Sequence, residues 1–322
     1  MKQLSWGKVC NMMINGRLTA ILQTLTILIL MSLGTVLIKL ALSDVAPFTF
    51  AWMSVAVGMI GLTIYTFGIR KERIPTGLPR NVWLYIATIG LLNFLLARTT
   101  FTLSLSLLDA TTNTYLVNFV GFVTMGMSIF ILKESPTIFQ LLGAAVALLG
   151  LRVFFLETPP PSELKGVFYI LVGILGIAYT NNITRKLAIA THNQLSNNII
   201  STMALLIGGG MLVLVGIVVD WPPKITGAAN IATLLYTGLV MIAFSMTVWN
   251  YILRTLRSYE ASILGASTVI WTALLAIPIL GETLAGNEIG GIILMLVGLS
   301  LVQVRQGQLG DLLRRKRKSP SF

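Results

Sequence analysis

Long apolar runs separated by short polar linkers dominate this sequence. Each run has about 20 residues, the length that an α-helix needs to cross a hydrocarbon core of about 30 Å. Ten-residue stretches of alternating apolar and polar residues, typical of membrane β-strands, are absent. The pattern predicts an all-α integral membrane protein with ten transmembrane helices. The predicted spans are 18–41, 47–68, 82–106, 110–132, 137–156, 166–187, 195–218, 229–253, 260–280 and 286–304.

One stretch of the chain occurs twice. The turn Ile131-Leu-Lys-Glu134 returns 148 residues later as Ile279-Leu-Gly-Glu282, and each copy joins two apolar runs. Near the start of each half, Lys39 and its neighbours match Lys186 and its neighbours at an offset of 147. A repeat of this length indicates a chain made of two copies of one unit. Each turn is followed by two glycines seven residues apart, Gly143 and Gly150 in the first copy and Gly291 and Gly298 in the second.

Each predicted copy contains five spans, which is an odd number. The copies therefore cross the membrane in opposite directions and form an inverted repeat. This arrangement recurs in secondary transporters, where the substrate site lies between the repeats. The predicted boundaries are 1–157 for the first five-helix repeat, 158–304 for the second repeat and 305–322 for a basic tail.

The few charged residues cluster in the linkers and the tail. The chain of 322 residues is 55% hydrophobic and 11% charged, whereas soluble domains carry roughly 25% charged residues. If the N-terminus is cytoplasmic, the outer linkers hold only two of the 23 basic residues, Lys165 and Lys224, and the inner segments hold 18. This asymmetry predicts that both termini are cytoplasmic. The net charge of +12 therefore reflects membrane topology, and a nucleic-acid partner is not expected.

The sequence lacks the residue sets of catalytic and metal sites. It has one cysteine, Cys10, and one histidine, His192, so neither a disulfide within the chain nor a zinc site is expected. There is no Walker-type loop and no Ser-His-Asp set. The run Gly208-Gly-Gly210 lies inside an apolar span, where we expect it to allow bending or close helix contact. Neither an enzyme nor a cofactor is predicted.

Arg98 is the sharpest candidate for a binding residue. It lies well inside the third span, where a charge costs about 3 kcal/mol on insertion scales and by default faces a cavity or a partner. We expect it to bind a substrate carboxylate or phosphate; the alternative is that it extends to the membrane surface or bonds to helix ends. No Asp or Glu lies in the middle of a span. This balance favours zwitterionic or anionic substrates over organic cations and supplies no evident proton carrier.

Other polar and aromatic residues recur at helical spacing and are candidates for a cavity wall. For the asparagines, hydrogen bonds between helices explain the pattern equally well. The alternative for Lys39 is a side chain that extends to the surface, and for the tryptophans it is contact with lipid. Asn93 and Arg98 lie about 140° apart around one helix and cannot both point at one ligand. The predicted substrate-binding residues are Arg98, Lys39, Tyr115, Asn118, Tyr179, Asn182, Trp249, Asn250 and Trp271.

The acids of the two repeated turns, Glu134 and Glu282, are expected at opposite membrane faces, roughly a bilayer apart. That separation excludes paired carboxylate catalysis. We expect each acid to cap the helix that follows it, because a carboxylate is favourable at the N-terminal dipole. The glycines after each turn predict a smooth helix face for close packing.

Further motifs accompany the repeat: Gly34-Thr-Val-Leu-Ile-Lys39 in span one, Trp249-Asn-Tyr251 in span eight and Ser258-Tyr-Glu-Ala-Ser-Ile at the start of span nine. With the two turns and their glycines, they resemble the drug/metabolite transporter superfamily, specifically the ten-helix EamA-type permeases, over nearly the whole chain. The resemblance implies a bundle whose central cavity is lined by spans one, three, four, six, eight and nine. It also implies export of amino acids or other small metabolites across a prokaryotic plasma (inner) membrane.

We therefore expect a secondary transporter that exports small metabolites, foremost amino acids or related carboxylate-bearing compounds, by alternating access and without ATP hydrolysis. The alternatives left open are an exchanger or importer of anionic metabolites such as sugar phosphates and a membrane scaffold without transport. A membrane-embedded lipid enzyme would need clustered carboxylates or histidines, which the sequence lacks. The expected partners are a small-molecule substrate and the lipid bilayer, and a homodimer is left open.

Overall fold

A computed structural model describes residues 6–75, 77–156, 160–191, 195–246, 248 and 264–302. Within this part of the chain every regular element is helical, which confirms the predicted all-α architecture. Six helices are long and apolar enough to cross a membrane, and the other four are shorter apolar helices: α5, α8, α9 and α10. The helices are α1 (Trp6–Ala41), α2 (Pro47–Ile69), α3 (Arg80–Leu107), α4 (Ala110–Ile131), α5 (Ile138–Phe154), α6 (Pro161–Ala190), α7 (Asn197–Val219), α8 (Ala228–Phe244), α9 (Leu264–Leu280) and α10 (Gly286–Val302).

Successive helices run in opposite directions, as contacts at the two ends of the bundle show. At one end, Lys39 Nζ donates a hydrogen bond to the carbonyl of Leu108 (2.8 Å), which joins α1 to the α3–α4 linker. Asn230 Nδ2 donates to Asp44 Oδ2 (3.3 Å), which joins α8 to the α1–α2 linker. The α9–α10 linker, with Glu282, lies beside the start of α4 at this same end. We call it the Glu282 end.

The opposite end carries the linkers that follow α2, α4 and α6. Asn198 Nδ2, at the start of α7, donates to Glu72 Oε1 of the α2–α3 linker (2.7 Å). Arg185, near the end of α6, forms a two-bond ion pair with Glu134, which follows α4. We call this the Glu134 end. Glu134 and Glu282 thus lie at opposite ends of α4, as the sequence predicts.

The helices α2 and α7 hold equivalent places in the two repeats and are tied together at both ends. At the Glu282 end, Trp52 Nε1 donates to Asp220 Oδ2 (2.8 Å). At the Glu134 end, the bond from Asn198 to Glu72 joins the same two helices. Asp220 follows Glu72 by 148 residues, the offset of the repeat. The helix pair is therefore antiparallel and fastened by equivalent acids, as an inverted repeat requires.

A glycine seam joins α5 to α10. A Cβ atom placed on Gly143 would lie 2.5 Å from the carbonyl oxygen of Gly298, and one on Gly298 would lie as close to that of Gly143. Gly150 and Gly291 meet in the same way, at 2.9 and 2.8 Å. These distances leave no room for side chains, so the two backbones touch. The close-packing role predicted for the repeated glycines is confirmed.

The helices α3 and α7 cross at a second close contact. A Cβ atom on Gly208 would overlap the carbonyl of Gly90, and one on Gly90 would overlap the carbonyl of Ala204. By contrast, a Cβ atom on Gly210 would meet nothing within 4 Å. Close helix contact, predicted for the glycine run of α7, is therefore confirmed at Gly208.

Turns of π-helix interrupt several helices in the described part of the chain. The segments in α3 and α8 occupy equivalent positions, because residues 91–97 shifted by 147 become 238–244. A π-helical turn bonds over five residues instead of four, so the side chains on its two sides face directions that a regular α-helix would not give them. The segments are Ile64–Ile69, Leu91–Ala97, Leu205–Gly209 and Thr237–Phe244.

Buried apolar side chains form three larger clusters. One joins α2, α3, α6, α7 and α8, and a second joins α4, α5, α6, α9 and α10. The third packs residues of six helices together at the Glu282 end; we call it the end cluster. Its buried members are Val36, Ile38, Ala41, Val45, Phe50, Leu105, Ala110, Leu234 and Ala276.

The expectation that Glu134 caps the helix after it is wrong. The first turn of α5 is capped by a reciprocal pair: Thr137 Oγ1 accepts from the N–H of Gln140 (3.3 Å), and Gln140 Oε1 accepts from the N–H of Thr137 (2.8 Å). Residues three positions apart reach these donors directly. Glu134 pairs with Arg185 instead.

The expectation for Glu282 is wrong in the same respect. At α10, Glu288 Oε2 accepts from the N–H of Ala285 (2.8 Å). The Glu282 carboxylate lies instead at the N-terminus of α4. Its Oε1 accepts from the N–H of Ala110, and its Oε2 accepts from the N–H (3.1 Å) and the hydroxyl (2.8 Å) of Thr111. The dipole interaction is the expected one, but the capped helix belongs to the other repeat.

Candidate functional site

Arg98 projects from α3 toward α2 inside the bundle. It lies nine residues, about 14 Å of helix, before the end of α3 at Leu107. Its side chain is partly buried, and its Nη2 donates a hydrogen bond to Ser54 Oγ (3.2 Å). The Ser54 side chain is fully buried and donates in turn to the carbonyl of Ala51 (3.0 Å). Arg98 therefore faces a neighbouring helix.

The guanidinium has no counter-charge among the described residues. Its Nε is enclosed and makes no hydrogen bond. In the described helices, acidic residues occur only in first turns, and the other described acids lie in linkers. A guanidinium has five N–H donors in a planar fork. With one of them bonded to Ser54, donors remain for a carboxylate in the two-bond geometry that arginine favours.

A π-helical segment, Leu91–Ala97, ends immediately before Arg98. Such turns are rare and frequently occur at functional sites. The segment carries Asn93, whose Oδ1 accepts a hydrogen bond from Thr180 Oγ1 of α6 (2.7 Å). Asn93 and Arg98 thus contact different helices, which confirms that they do not point in one direction.

A second polar group joins α6 to α4 around Thr124. Asn182 is almost fully buried, and its Nδ2 donates to the carbonyls of Thr124 (3.1 Å) and Ala178 (3.0 Å). The neighbouring Asn181 donates to the Thr124 hydroxyl (3.2 Å). In this arrangement the amide of Asn182 links two helices.

The polar stripe predicted on α4 does not share one environment. Tyr115 is fully buried and stacks on Phe154 of α5, with 4.0 Å between ring centroids. Asn118 lies at a break in α4, where backbone hydrogen bonds shorten to a three-residue spacing. Its Nδ2 donates to the carbonyl of Thr114 in the same helix (2.9 Å). The structure therefore does not bring Tyr115 and Asn118 together at Arg98.

The aromatic candidates Tyr179 and Trp271 have different surroundings. Tyr179 is 38% exposed and continues the exposed stripe of α6 that includes Leu171 and Leu175, so its ring lies at the bundle surface. Trp271 packs against the buried apolar residues of α1, and its Nε1 donates to Ser267 Oγ (3.2 Å).

The remaining candidates do not join the group around Arg98 in the described structure. Trp249 and Asn250 lie outside the described residues, so their roles stay predictions. Lys39 lies at the Glu282 end, where its ammonium is bonded to the carbonyl of Leu108. Of the predicted residues, Arg98, Tyr115 and Asn182 lie in the interior, on three different helices.

Sequence reasoning missed Ser54 and Thr124. Both are hydroxyl residues in apolar helices, where such residues are common and usually bond to their own backbone. Only their contacts with Arg98 and Asn182 distinguish them. Ser54 also belongs to α2, a helix that the family resemblance does not place around the cavity.

The carboxyl group of Asp109, in the α3–α4 linker at the Glu282 end, has a raised pKa. The residue is exposed, yet partial shielding of its carboxyl from water raises its pKa above the ordinary value. The nearby Glu282 carboxylate raises this pKa further, and the Lys39 ammonium lowers it. The folded protein therefore binds this proton more tightly than the unfolded chain does.

The free energy of unfolding is expected to fall slightly as the pH rises from about 4, the ordinary pKa of an aspartate, through the raised pKa of Asp109. The folded state loses there a proton that it holds more tightly than the unfolded state, which lowers its relative stability. Asp109→Asn has no such proton, so its stability advantage over the natural protein should grow with pH and then level off. Thermal unfolding of both proteins in detergent measures this difference. An advantage that shrinks as the pH rises would contradict the arrangement.

Antiparallel apolar helices arranged as two inverted repeats are a layout that recurs in membrane transporters, with the ligand site between the repeats. The sequence matches the EamA-like transporter family twice, over residues 18–156 and 157–304. The chain belongs to this family, within the drug/metabolite transporter superfamily, and is an integral membrane transporter. The family resemblance noted in the sequence is thereby confirmed.

Individual relatives are distant. The uncharacterized transporter YoaV of Bacillus subtilis (strain 168) is 22% identical over 239 residues, which cover 70% of this chain and 77% of YoaV. A solved crystal structure with 15% sequence identity superimposes with a TM-score of 0.60 over 89% of this chain and 98% of its own. That likeness shows the fold alone.

Proposed function

We propose that this transporter exports small metabolites that carry a carboxylate, foremost amino acids, by alternating access between its two repeats. The observation that carries the proposal is the Arg98 guanidinium, which lies inside the bundle with one hydrogen bond to Ser54 and no described acidic partner. A charge at such a depth costs about 3 kcal/mol on insertion scales. A bound carboxylate would offset part of that cost, so the position of Arg98 favours an anionic substrate.

The charge of the interior favours some classes of substrate over others. One carboxylate neutralises one guanidinium, whereas a phosphate monoester at pH 7 carries about −1.5 to −2 charges and would leave an excess. The partly buried Arg98 supplies a single positive charge to the described interior, which fits a carboxylate better than a sugar phosphate. An organic cation would meet a like charge in a medium of low dielectric constant, where repulsion is strong.

We infer the direction of export, and the membrane across which it takes place, from the distribution of basic residues and from the family resemblance. Basic residues in the linkers of the Glu134 end and in the tail are typical of a cytoplasmic face. We assign the Glu282 end to the outside of a prokaryotic plasma membrane, with both termini in the cytoplasm. The end cluster then closes the outer side, and opening it would release substrate outward.

Efflux from proteoliposomes tests the proposed function. Vesicles are loaded in turn with a labelled neutral amino acid, another monocarboxylate, a sugar phosphate and an organic cation, and protein-free vesicles serve as the control. We expect efflux several-fold above the control for the amino acid or the monocarboxylate, and efflux at the control rate for the cation. Efflux of the cation alone or of the sugar phosphate alone would overturn the substrate class.

A further inference from the structure

Residues 108–111, which join α3 to α4, form hydrogen bonds with two other parts of the chain. We call them the α3–α4 corner. From the second repeat, the Glu282 carboxylate accepts three hydrogen bonds from Ala110 and Thr111. From α1, the Lys39 ammonium donates to the carbonyl of Leu108. Hydrogen bonds in which one partner is ionised are roughly twice as strong as neutral ones. The corner is therefore hydrogen-bonded both to α1 and to the α9–α10 linker.

Asp109 occupies the position whose side chain usually caps a helix, immediately before α4. Its backbone has the extended geometry of a capping residue (φ −59°, ψ 149°), yet its side chain makes no capping hydrogen bond. Glu282 holds the first N–H groups of α4 instead. Two acids thus lie within reach of the same helix end, one local and one from the other repeat.

The end cluster lies beneath this corner. Ala110 and Ala276 are both fully buried in it, so the helix that Glu282 caps and the helix that leads to Glu282 meet there. If the α9–α10 linker withdrew from α4, the carboxylate contacts and the apolar contacts would separate together. Glu282 therefore links the ends of two helices whose buried side chains meet in the end cluster.

Glu134, the equivalent acid at the opposite end, forms a weaker interaction. Glu134 pairs with Arg185 through side chains that are 39% and 59% exposed, and exposed ion pairs contribute little. The helix after Glu134 has a local cap in Thr137 and Gln140, as the helix after Glu282 has in Glu288. Glu134 thus pairs with a side chain near the end of α6, whereas Glu282 caps a helix of the other repeat.

We propose that Glu282 is a latch that holds the Glu282 end closed by capping α4, and that Asp109 takes over as the cap when this end opens. The exchange keeps a carboxylate at the helix N-terminus in both states, so opening leaves no uncapped helix. In the closed state Asp109 faces the Glu282 carboxylate and the Lys39 ammonium. In the open state it is free of the repulsion from Glu282.

A buried reporter thiol tests the latch in the full-length chain and requires no knowledge of the substrate. Cys10→Ser removes the native thiol, and Ala276→Cys places the reporter in the end cluster. The protein is held in lipid nanodiscs, where both membrane faces are open to a water-soluble maleimide, and the labelling rate is measured. Glu282→Ala and Glu282→Gln are compared with Glu134→Gln, the matched change at the other end.

We expect Glu282→Ala to speed labelling about tenfold, the change in an equilibrium that the loss of one helix cap produces. Glu282→Gln keeps an acceptor but loses the charge, and should speed labelling less. Glu134→Gln should leave the rate unchanged. Labelling that stays at the parent rate in both folded Glu282 variants, or rises equally in Glu134→Gln, would overturn the latch.

Asp109→Ala tests the exchange of caps separately. It removes the replacement cap from the open state and the repulsion from the closed state, so labelling should slow several-fold. A general loosening of the corner would speed labelling instead, and that result would overturn the role of Asp109.

Discussion

Arg98→Ala is expected to lower the transport of carboxylate-bearing substrates about tenfold to a hundredfold. A hydrogen bond to a charged group contributes about 1.5–3 kcal/mol, and each 1.4 kcal/mol is a factor of ten in affinity. The loss should appear mainly as a higher substrate concentration for half-maximal transport. Arg98→Lys should be intermediate, because lysine keeps the charge but lacks the planar fork that binds a carboxylate through two bonds.

The matched control is Arg152→Ala. Arg152 is exposed near the end of α5, where its Nη1 donates to the carbonyls of Phe155 (2.9 Å) and Leu156 (3.0 Å). The same residue change at this place should leave transport unaltered. Concentration-dependent efflux from proteoliposomes measures all three variants. Unaltered transport of every carboxylate substrate by Arg98→Ala would contradict the proposed binding role of Arg98.

Gly208→Ala is expected to destabilise the protein by about 3 kcal/mol, near the upper end for overpacked sites. The added methyl group would overlap the backbone carbonyl of Gly90, and a carbonyl in a helix cannot swing aside as a flexible side chain can. The helices α3 and α7 would have to move apart, which would also disturb the π-helical turns at the crossing. Gly90→Ala should have a similar effect, because its methyl group would overlap the carbonyl of Ala204.

Gly210→Ala is the control two residues away. A Cβ atom there meets nothing within 4 Å, and alanine is favoured over glycine within a helix by about 1 kcal/mol. This variant should be as stable as the natural protein or slightly more stable. Thermal unfolding and the monodisperse fraction in gel filtration compare the variants. Equal stability of Gly208→Ala and Gly210→Ala would contradict the crossing.

The helices and their close contacts could be predicted because local composition determines them. The second span, predicted at 47–68, is observed as Pro47–Ile69, with a proline at the start, where its missing N–H costs nothing. The repeated glycines predicted a close-packed face because only residues without a side chain allow backbones to touch. Such signals depend on neighbours within a few turns, so a single sequence contains them.

The contacts of Glu282 could not be predicted, because its partners Ala110 and Thr111 lie 172 and 171 residues away. A carboxylate beside a helix start favours the nearest N-terminus on local grounds, and only the packing of the two repeats brings α4 nearer. The local cap at Thr137 and Gln140 is different. A threonine followed three residues later by glutamine is a recognisable capping pattern. It indicates that α5 does not need Glu134 as its N-terminal cap.

The arrangement of candidate site residues was also only partly predictable. Spacing placed Tyr115 and Asn118 on one stripe of α4, but the break at Asn118 interrupts the regular helix on which that spacing depends. Arg98 was found because a charge deep in an apolar span is unusual whatever its neighbours are. Its partner Ser54 carries no comparable signal.

The reciprocal glycine contact between α5 and α10 bears on the ancestry of the chain. Gly143 meets Gly298 and Gly150 meets Gly291, while the repeat equates Gly143 with Gly291 and Gly150 with Gly298. A surface that contacts its own equivalent in this way is self-complementary, as in a twofold-symmetric dimer. A five-helix ancestor with these glycines already had the surface needed to associate with an inverted copy of itself. The seam between the halves would then predate the gene duplication that fused them.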